Sequence, residues 1–217
     1  MKITQNLKFR TQNSKLKTNN MVITDINQLD VNGTYTYADY LLWRFKEQVE
    51  LLRGKLFKMS PAPREIHQRV SMYLSGELYN FFKDKTCRFY SAPFDVRIPA
   101  KGAKGTTDNQ IYTIVQPDLC VVCDLEKIDG RGCVGAPDLV VEILSPSNSR
   151  KDLKDKYEIY QEAGVPEYWI VDADNKAFYR YVLEGDTYIG LPPVSEGDVF
   201  HSRKFPEMKI DTRLIFK

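Results

Sequence analysis

The sequence predicts an α/β protein with a central mixed β-sheet and a helix on each side. Three observations carry this. Apolar residues recur at helical spacing in two separated segments, from Ile66 to about residue 84 and from about 150 to 163. Runs rich in β-branched and aromatic residues at 87–98, 111–123, 138–144 and 167–174 read as strands. The resulting order, helix, three strands, helix, strand, suits a sheet covered on both faces.

Taken in order, the 217 residues open on a segment with Lys2, Lys8, Arg10, Lys15 and Lys17 and no acid. Residues 1–20 are therefore expected to be a flexible basic leader, a transit peptide being the other reading, and Met21 is a candidate alternative start. Residues 21–217 are expected to form a single domain. Thr36 and Asp39 resemble a capping box opening a short helix over 36–45. Gly54 lies between two apolar runs and predicts a hairpin over 48–59. Ser60 to Pro63 punctuates the chain before the long helix, which carries Val70, Leu74, Leu78 and Phe82 on one stripe. The strands at 87–98, 111–123 and 138–144 are expected to lie side by side. The cap-rich stretch Ser145 to Ser149 then introduces the second helix, with Leu153, Tyr157 and Tyr160 on one stripe and Gly164 as its stop. Two more strands follow, EYWIVDAD and AFYRYVLEG, and short β elements end in the apolar RLIF.

Composition excludes several classes. Apolar residues are 42% and charged residues 28%, which argues against a largely disordered or low-complexity chain. No stretch approaches the roughly 20 apolar residues of a membrane span, so no membrane association is expected and the cytoplasm is the default location. The net charge of +2 is uneven: beyond the leader, 26 basic residues face 29 acidic ones. Cys120 and Cys123 have CxxC spacing, but on a strand residues three apart point to opposite faces. All four cysteines (Cys87, Cys120, Cys123, Cys133) are expected to be buried free thiols.

The chemistry lies in acids within strands that otherwise look buried. Asp118 in IVQPDLCVV and Glu142 in PDLVVEILSP sit among branched residues, where an ionised group is costly without a partner. A metal ion, a salt bridge or exposure at a strand end would each resolve that cost. Asp138 and Glu142 share a face but are four residues apart, roughly 13 Å along a strand, too far for one ion. On neighbouring strands about 4.8 Å apart, Asp118 and Glu142 can converge on one Mg²⁺.

Pro117 and Asp118, followed by Glu142, resemble the PD-(D/E)XK signature of restriction-endonuclease-like nucleases, although Leu144 stands where that signature has Lys. A longer match, ELLRGKLFKMSPAP with His67, then QPDLCVV, then residues 137–172, is similar to the Uma-two family, described as "putative endonucleases" and common in cyanobacteria and other bacteria. The resemblance covers about residues 30–215. It implies a restriction-endonuclease-like core and that the missing Lys has moved to the second helix, where Lys156 matches best. Asp152, Lys156 and Tyr160 are spaced i, i+4, i+8, so a long Lys side chain can reach over the sheet toward Glu142. Glu50 lies in the family's Glu-x-x-x-Gly context and is a candidate third acid, an exposed strand-edge Glu being the alternative. His67 matches the family's His, a capping or core histidine being the alternative.

The function expected from this is metal-dependent phosphodiester hydrolysis, most simply of DNA, by a homodimer. Asp118, Glu142 and the Ile143 carbonyl would hold Mg²⁺ or Mn²⁺, with Lys156 and Glu50 completing the catalytic set and His67, Asp152 and Tyr160 accessory. A catalytically silent module binding nucleic acid or protein on the same fold is the alternative, kept open by Leu144 and the acidic domain. A non-nucleolytic metal hydrolase is a third class.

Overall fold

The computed structural model describes residues 21–59, 64–102, 106–145 and 150–217. The expected leader, the Ser60 to Pro63 punctuation and the cap-rich residues 146–149 lie outside them. Thr36 and Asp39 form the capping box, with Asp39 Oδ2 accepting from the Thr36 amide at 2.8 Å. Helix α1 (Tyr37–Tyr40) nevertheless ends after one turn instead of running to Phe45. A parallel bridge draws the chain off: the Ile23 amide donates to Leu42, and the Arg44 amide to Ile23.

The hairpin pairs β1 (Val49–Leu52) with β2 (Lys55–Lys58). Its turn places Arg53 at φ 51° and Gly54 at φ 80°, the left-handed pair that a two-residue hairpin loop requires. Helix α2 (Glu65–Phe82) follows, close to its expected span.

The segments at 87–98 and 111–123 depart from expectation, because each is two strands. The first divides into β3 (Arg88–Ser91) and β4 (Val96–Ile98), the second into β5 (Thr113–Val115) and β6 (Leu119–Val122). Pro93 and Pro117 occupy the breaks, where a residue without an N–H cannot continue a ladder. The hairpin β7 (Ile128–Asp129) and β8 (Gly132–Val134) leads to β9 (Leu139–Ile143), helix α3 (Arg150–Ala163) and β10 (Glu167–Asp172). Strands β11 (Ala177–Glu184), β12 (Thr187–Gly190), β13 (Val194–Ser195), β14 (Val199–His201) and β15 (Lys209–Asp211) complete the β structure. The terminal apolar run forms one helical turn, α4 (Thr212–Ile215).

There are thus two main sheets where one was expected. The first has the order β2-β1-β5-β4-β8-β7, and the second β12-β11-β10-β9-β6-β3 with β13 on β11. Strands β3, β6 and β9 are adjacent, as expected, and β9 runs parallel to β10 through the α3 crossover. The second sheet is covered on both faces. Val70, Leu74, Leu78 and Phe82 of α2 pack with Leu139, Trp169 and Phe178 on one side. Ile159 and Tyr160 of α3 pack with Val140, Tyr168 and Ile170 on the other. Each fully buried Val or Leu contributes about 1.5–3 kcal/mol to holding these layers together.

Cys120 and Cys123 do point to opposite faces, but the expectation of four free thiols fails. Cys87 and Cys123 form a disulfide at neighbouring ends of β3 and β6, with Cα atoms 3.9 Å apart. Local pattern cannot show this pairing, which depends on two strands 36 residues apart being neighbours. Cys120 and Cys133 are buried and free. Burial pushes both thiols up, that of Cys133 to about 11, so neither is a ready nucleophile. Among the described residues no helix is long and apolar enough to cross a membrane.

Candidate active site

The site lies at the seam of the two sheets. Residues Gln116 to Asp118 carry the chain from β5 in the first sheet to β6 in the second. Gln116 donates its amide to Glu50 Oε1 on β1 at 2.8 Å. Two residues later, Asp118 Oδ2 accepts the Ile143 amide of β9 at 2.7 Å. The antiparallel register pairs Leu119 with Val141, which sets Asp118 opposite Glu142.

Glu142 and Glu50 are both 5% exposed, whereas the Asp118 side chain stays 21% exposed at its strand end. Lys156, itself buried, reaches down from α3 and joins the two sheets. Its Nζ lies 3.0 Å from Glu142 Oε1 and 3.0 Å from Glu50 Oε1. Tyr160, one turn further along α3, donates its hydroxyl to the same Glu142 oxygen at 2.6 Å. Leu144 packs into the apolar cluster beneath α3, so the lysine enters from the helix instead of from the motif position.

Burial drives the Glu142 carboxyl up to about 7. Lys156 pulls against that rise, while Asp118 and Glu50 add to it. Burial alone would lower the Lys156 ammonium, but the two carboxylates outweigh it and hold the pKa above its ordinary value. Lys156 therefore remains a cation. Burial, joined by the charges of Glu142 and Glu50, raises Tyr160 well above its ordinary range and keeps its proton in place.

His67 is part of this cluster, although capping and core roles were its alternatives. From the first turn of α2 its Nε2 approaches Asp118 Oδ1 at 3.3 Å. Burial opposes protonation, yet hydrogen bonds to Asp118 and the Ile143 carbonyl and the charge of Glu142 raise its pKa overall.

The fold thus brings together Asp118, Glu142, Ile143, Lys156, Glu50, His67 and Tyr160. Asp152 lies on α3, and its side chain is outside what is described. Asp138 is engaged elsewhere, accepting the Cys123 amide and Lys204 Nζ. Sequence reasoning missed the Gln116 amide, which orients Glu50; main-chain donors leave no mark in residue type. It also missed Asp95, whose Oδ1 accepts from Gln116 Nε2 at 2.8 Å and whose carboxyl is raised by burial.

Among the described residues no three His, Cys, Asp or Glu side chains are arranged as a ready metal site. The donor chemistry still fits a hard cation. Two carboxylates share one lysine, and Asp118 and Glu142 both offer oxygen beside the Ile143 main chain. Mg²⁺ commonly takes one or two carboxylates and completes its shell with water and phosphate oxygens.

The fold has solved and curated counterparts. A crystal structure described as a "putative nuclease belonging to DUF820" from Anabaena variabilis superposes with a TM-score of 0.63 at 16% identity, covering 84% of this chain and 97% of that one. This likeness establishes the restriction-endonuclease-like architecture. The "uncharacterized protein slr1290" of Synechocystis sp. is 28% identical over 165 residues, which span 75% of this chain and 72% of the relative. Residues 37–213 match the family Uma2, described as "Putative restriction endonuclease", and the chain belongs to that family.

Proposed function

We propose that this protein is a metal-dependent nuclease that hydrolyses phosphodiester bonds in DNA at the sheet seam. The observation that carries the reading is Lys156, buried between Glu142 and Glu50, with Asp118 opposite on the neighbouring strand. Asp118, Glu142 and the Ile143 carbonyl would hold Mg²⁺ or Mn²⁺, which supplies a Lewis acid that acidifies water and offsets charge on the phosphate.

The chain's own groups have distinct tasks. The Ile143 amide fixes Asp118 Oδ2 and His67 Nε2 approaches Oδ1, while Tyr160 and Lys156 share Glu142 Oε1. Lys156, kept protonated by its two acids, cannot serve as a general base; it donates hydrogen bonds and stabilises negative charge as the phosphate becomes pentavalent. Glu50 anchors Lys156 from the first sheet, and His67 positions Asp118. Two copies are expected to act together, because cutting both strands with one small domain calls for two centres; light scattering tests the dimer.

The deciding experiment incubates plasmid and single-stranded DNA with the protein and Mn²⁺. Cleavage that disappears in Glu142→Ala supports the reading, and equal cleavage by both proteins overturns it. One observation favours a second reading, a silent binding module: Leu144 stands where the motif has Lys and packs into the apolar cluster beneath α3. Calorimetric titration with Mn²⁺ separates the two, since a silent module takes up no ion at millimolar concentration.

A further inference from the structure

On the side of the second sheet away from α3, where Phe178 of β11 packs against Phe200 of β14, lies a cavity of about 360 Å³ that the nuclease reading does not use. Its floor is Arg180, on β11 and 8% exposed, together with buried Ser202. Pro192 and Pro206 form apolar walls, and His201 and Arg203 stand exposed at the rim.

Arg180 is incompletely satisfied. Its Nη2 donates to the Pro192 carbonyl at 3.1 Å and its guanidinium lies 4.4 Å from the Phe200 ring centre. Its buried Nε has no partner among the described residues. A guanidinium has five donors, and leaving them unmet away from water is costly. The carboxylate whose charge reaches Arg180 is that of Glu167, and it is saturated. Glu167 accepts from Trp169 Nε1 at 2.8 Å, the Lys204 amide at 2.8 Å, the Arg203 amide at 3.2 Å and the Ser202 hydroxyl. The Arg203 side chain forms no ion pair among the described residues. Two guanidinium groups therefore line one cavity without a free carboxylate to balance them.

We propose that this cavity binds a phosphomonoester, gripped by Arg180 from the floor and Arg203 from the rim. The planar guanidinium matches a phosphate oxyanion better than it matches water, and the proline walls suit the organic part of the ligand. The volume admits a group of mononucleotide size and excludes a duplex. Burial and the Arg203 charge both push the Arg180 pKa down, a strain that a bound anion relieves.

The test titrates the full chain with adenosine 5′-monophosphate, adenosine, inorganic phosphate, succinate and a 5′-phosphorylated oligonucleotide, followed by calorimetry and amide NMR. The monophosphate should shift the amides of Leu191, His201 and Arg203, and adenosine and succinate should not. Arg203→Ala, an exposed change, should weaken binding roughly tenfold or more. Arg180→Lys should also weaken it, while Asp118→Asn should leave it unchanged, which separates this site from the nuclease centre. Oligonucleotide shifts at the same amides would assign the phosphate to a strand end; shifts from the mononucleotide alone would assign it to a small molecule. Absence of shifts with both, equal binding by Arg203→Ala, or equal binding of succinate overturns the proposal.

Discussion

Lys156 ties the two sheets together at the seam through Glu142 and Glu50. Removing its charge leaves Glu142 and Glu50 buried and facing each other, and breaking a buried pair from one side costs about 3–5 kcal/mol. Lys156→Met should lose about that much in urea unfolding. The double variant Lys156→Met, Glu142→Gln should recover part of the loss, because one of the stranded charges is gone. Glu142→Gln alone should behave differently. Glu50 remains to balance Lys156, so the amide should cost less stability than Lys156→Met while plasmid cleavage disappears. A variant that both cuts and folds as the parent does would contradict the role given to Glu142. The sequence made Asp118 and Glu142 legible because acids in apolar strands stand out. Spacing along α3 gave a lysine able to reach them, but its contact with Glu50 depends on the first sheet, which no local pattern reveals.

At the scale of elements, the helices were legible and the strand partners were not. Periodicity located α2 and α3 almost to the residue, because 14 or more residues of one stripe leave little ambiguity. Alternation predicts single strands over residues 87–98 and 111–123 because it does not say to which sheet a strand belongs. The first sheet also contains a testable ion pair. Arg97 on β4 is 1% exposed and pairs with Asp129 on β7. Burial works against the Asp129 charge, yet the hydrogen bond and charge of Arg97 hold its carboxyl below the ordinary value. The pair therefore stabilises the fold fully above about pH 4, and the gain is lost as pH falls through the lowered pKa. Asp129→Asn should cost about 1 kcal/mol near neutrality, since solvent screens a carboxylate that is 43% exposed, and its acid-unfolding curve should converge with that of the parent at low pH. The Cys87–Cys123 bridge closes a loop of 36 residues holding β3 to β6. The double Ser variant should be less stable by about 2–4 kcal/mol in denaturant unfolding.

For the whole molecule, charge is unevenly divided along the sequence. The first 20 residues carry five cations, whereas 26 bases face 29 acids in the rest. A protein starting at Met21 should bind duplex DNA more weakly, with a salt dependence shallower by as much as about four in the slope of log K against log salt. Fluorescence anisotropy between 50 and 200 mM salt measures this, and an unchanged slope would place DNA contact entirely beyond residue 20. The seam has a consequence for assembly. Glu50 arrives with one sheet, Asp118 and Glu142 with the other, and Lys156 closes over both from a crossover helix. A chain with one sheet formed possesses no complete centre, so on the proposed function a partly folded molecule should not cut DNA. In a refolding time course, cleavage should therefore recover with the slower sheet, never ahead of it.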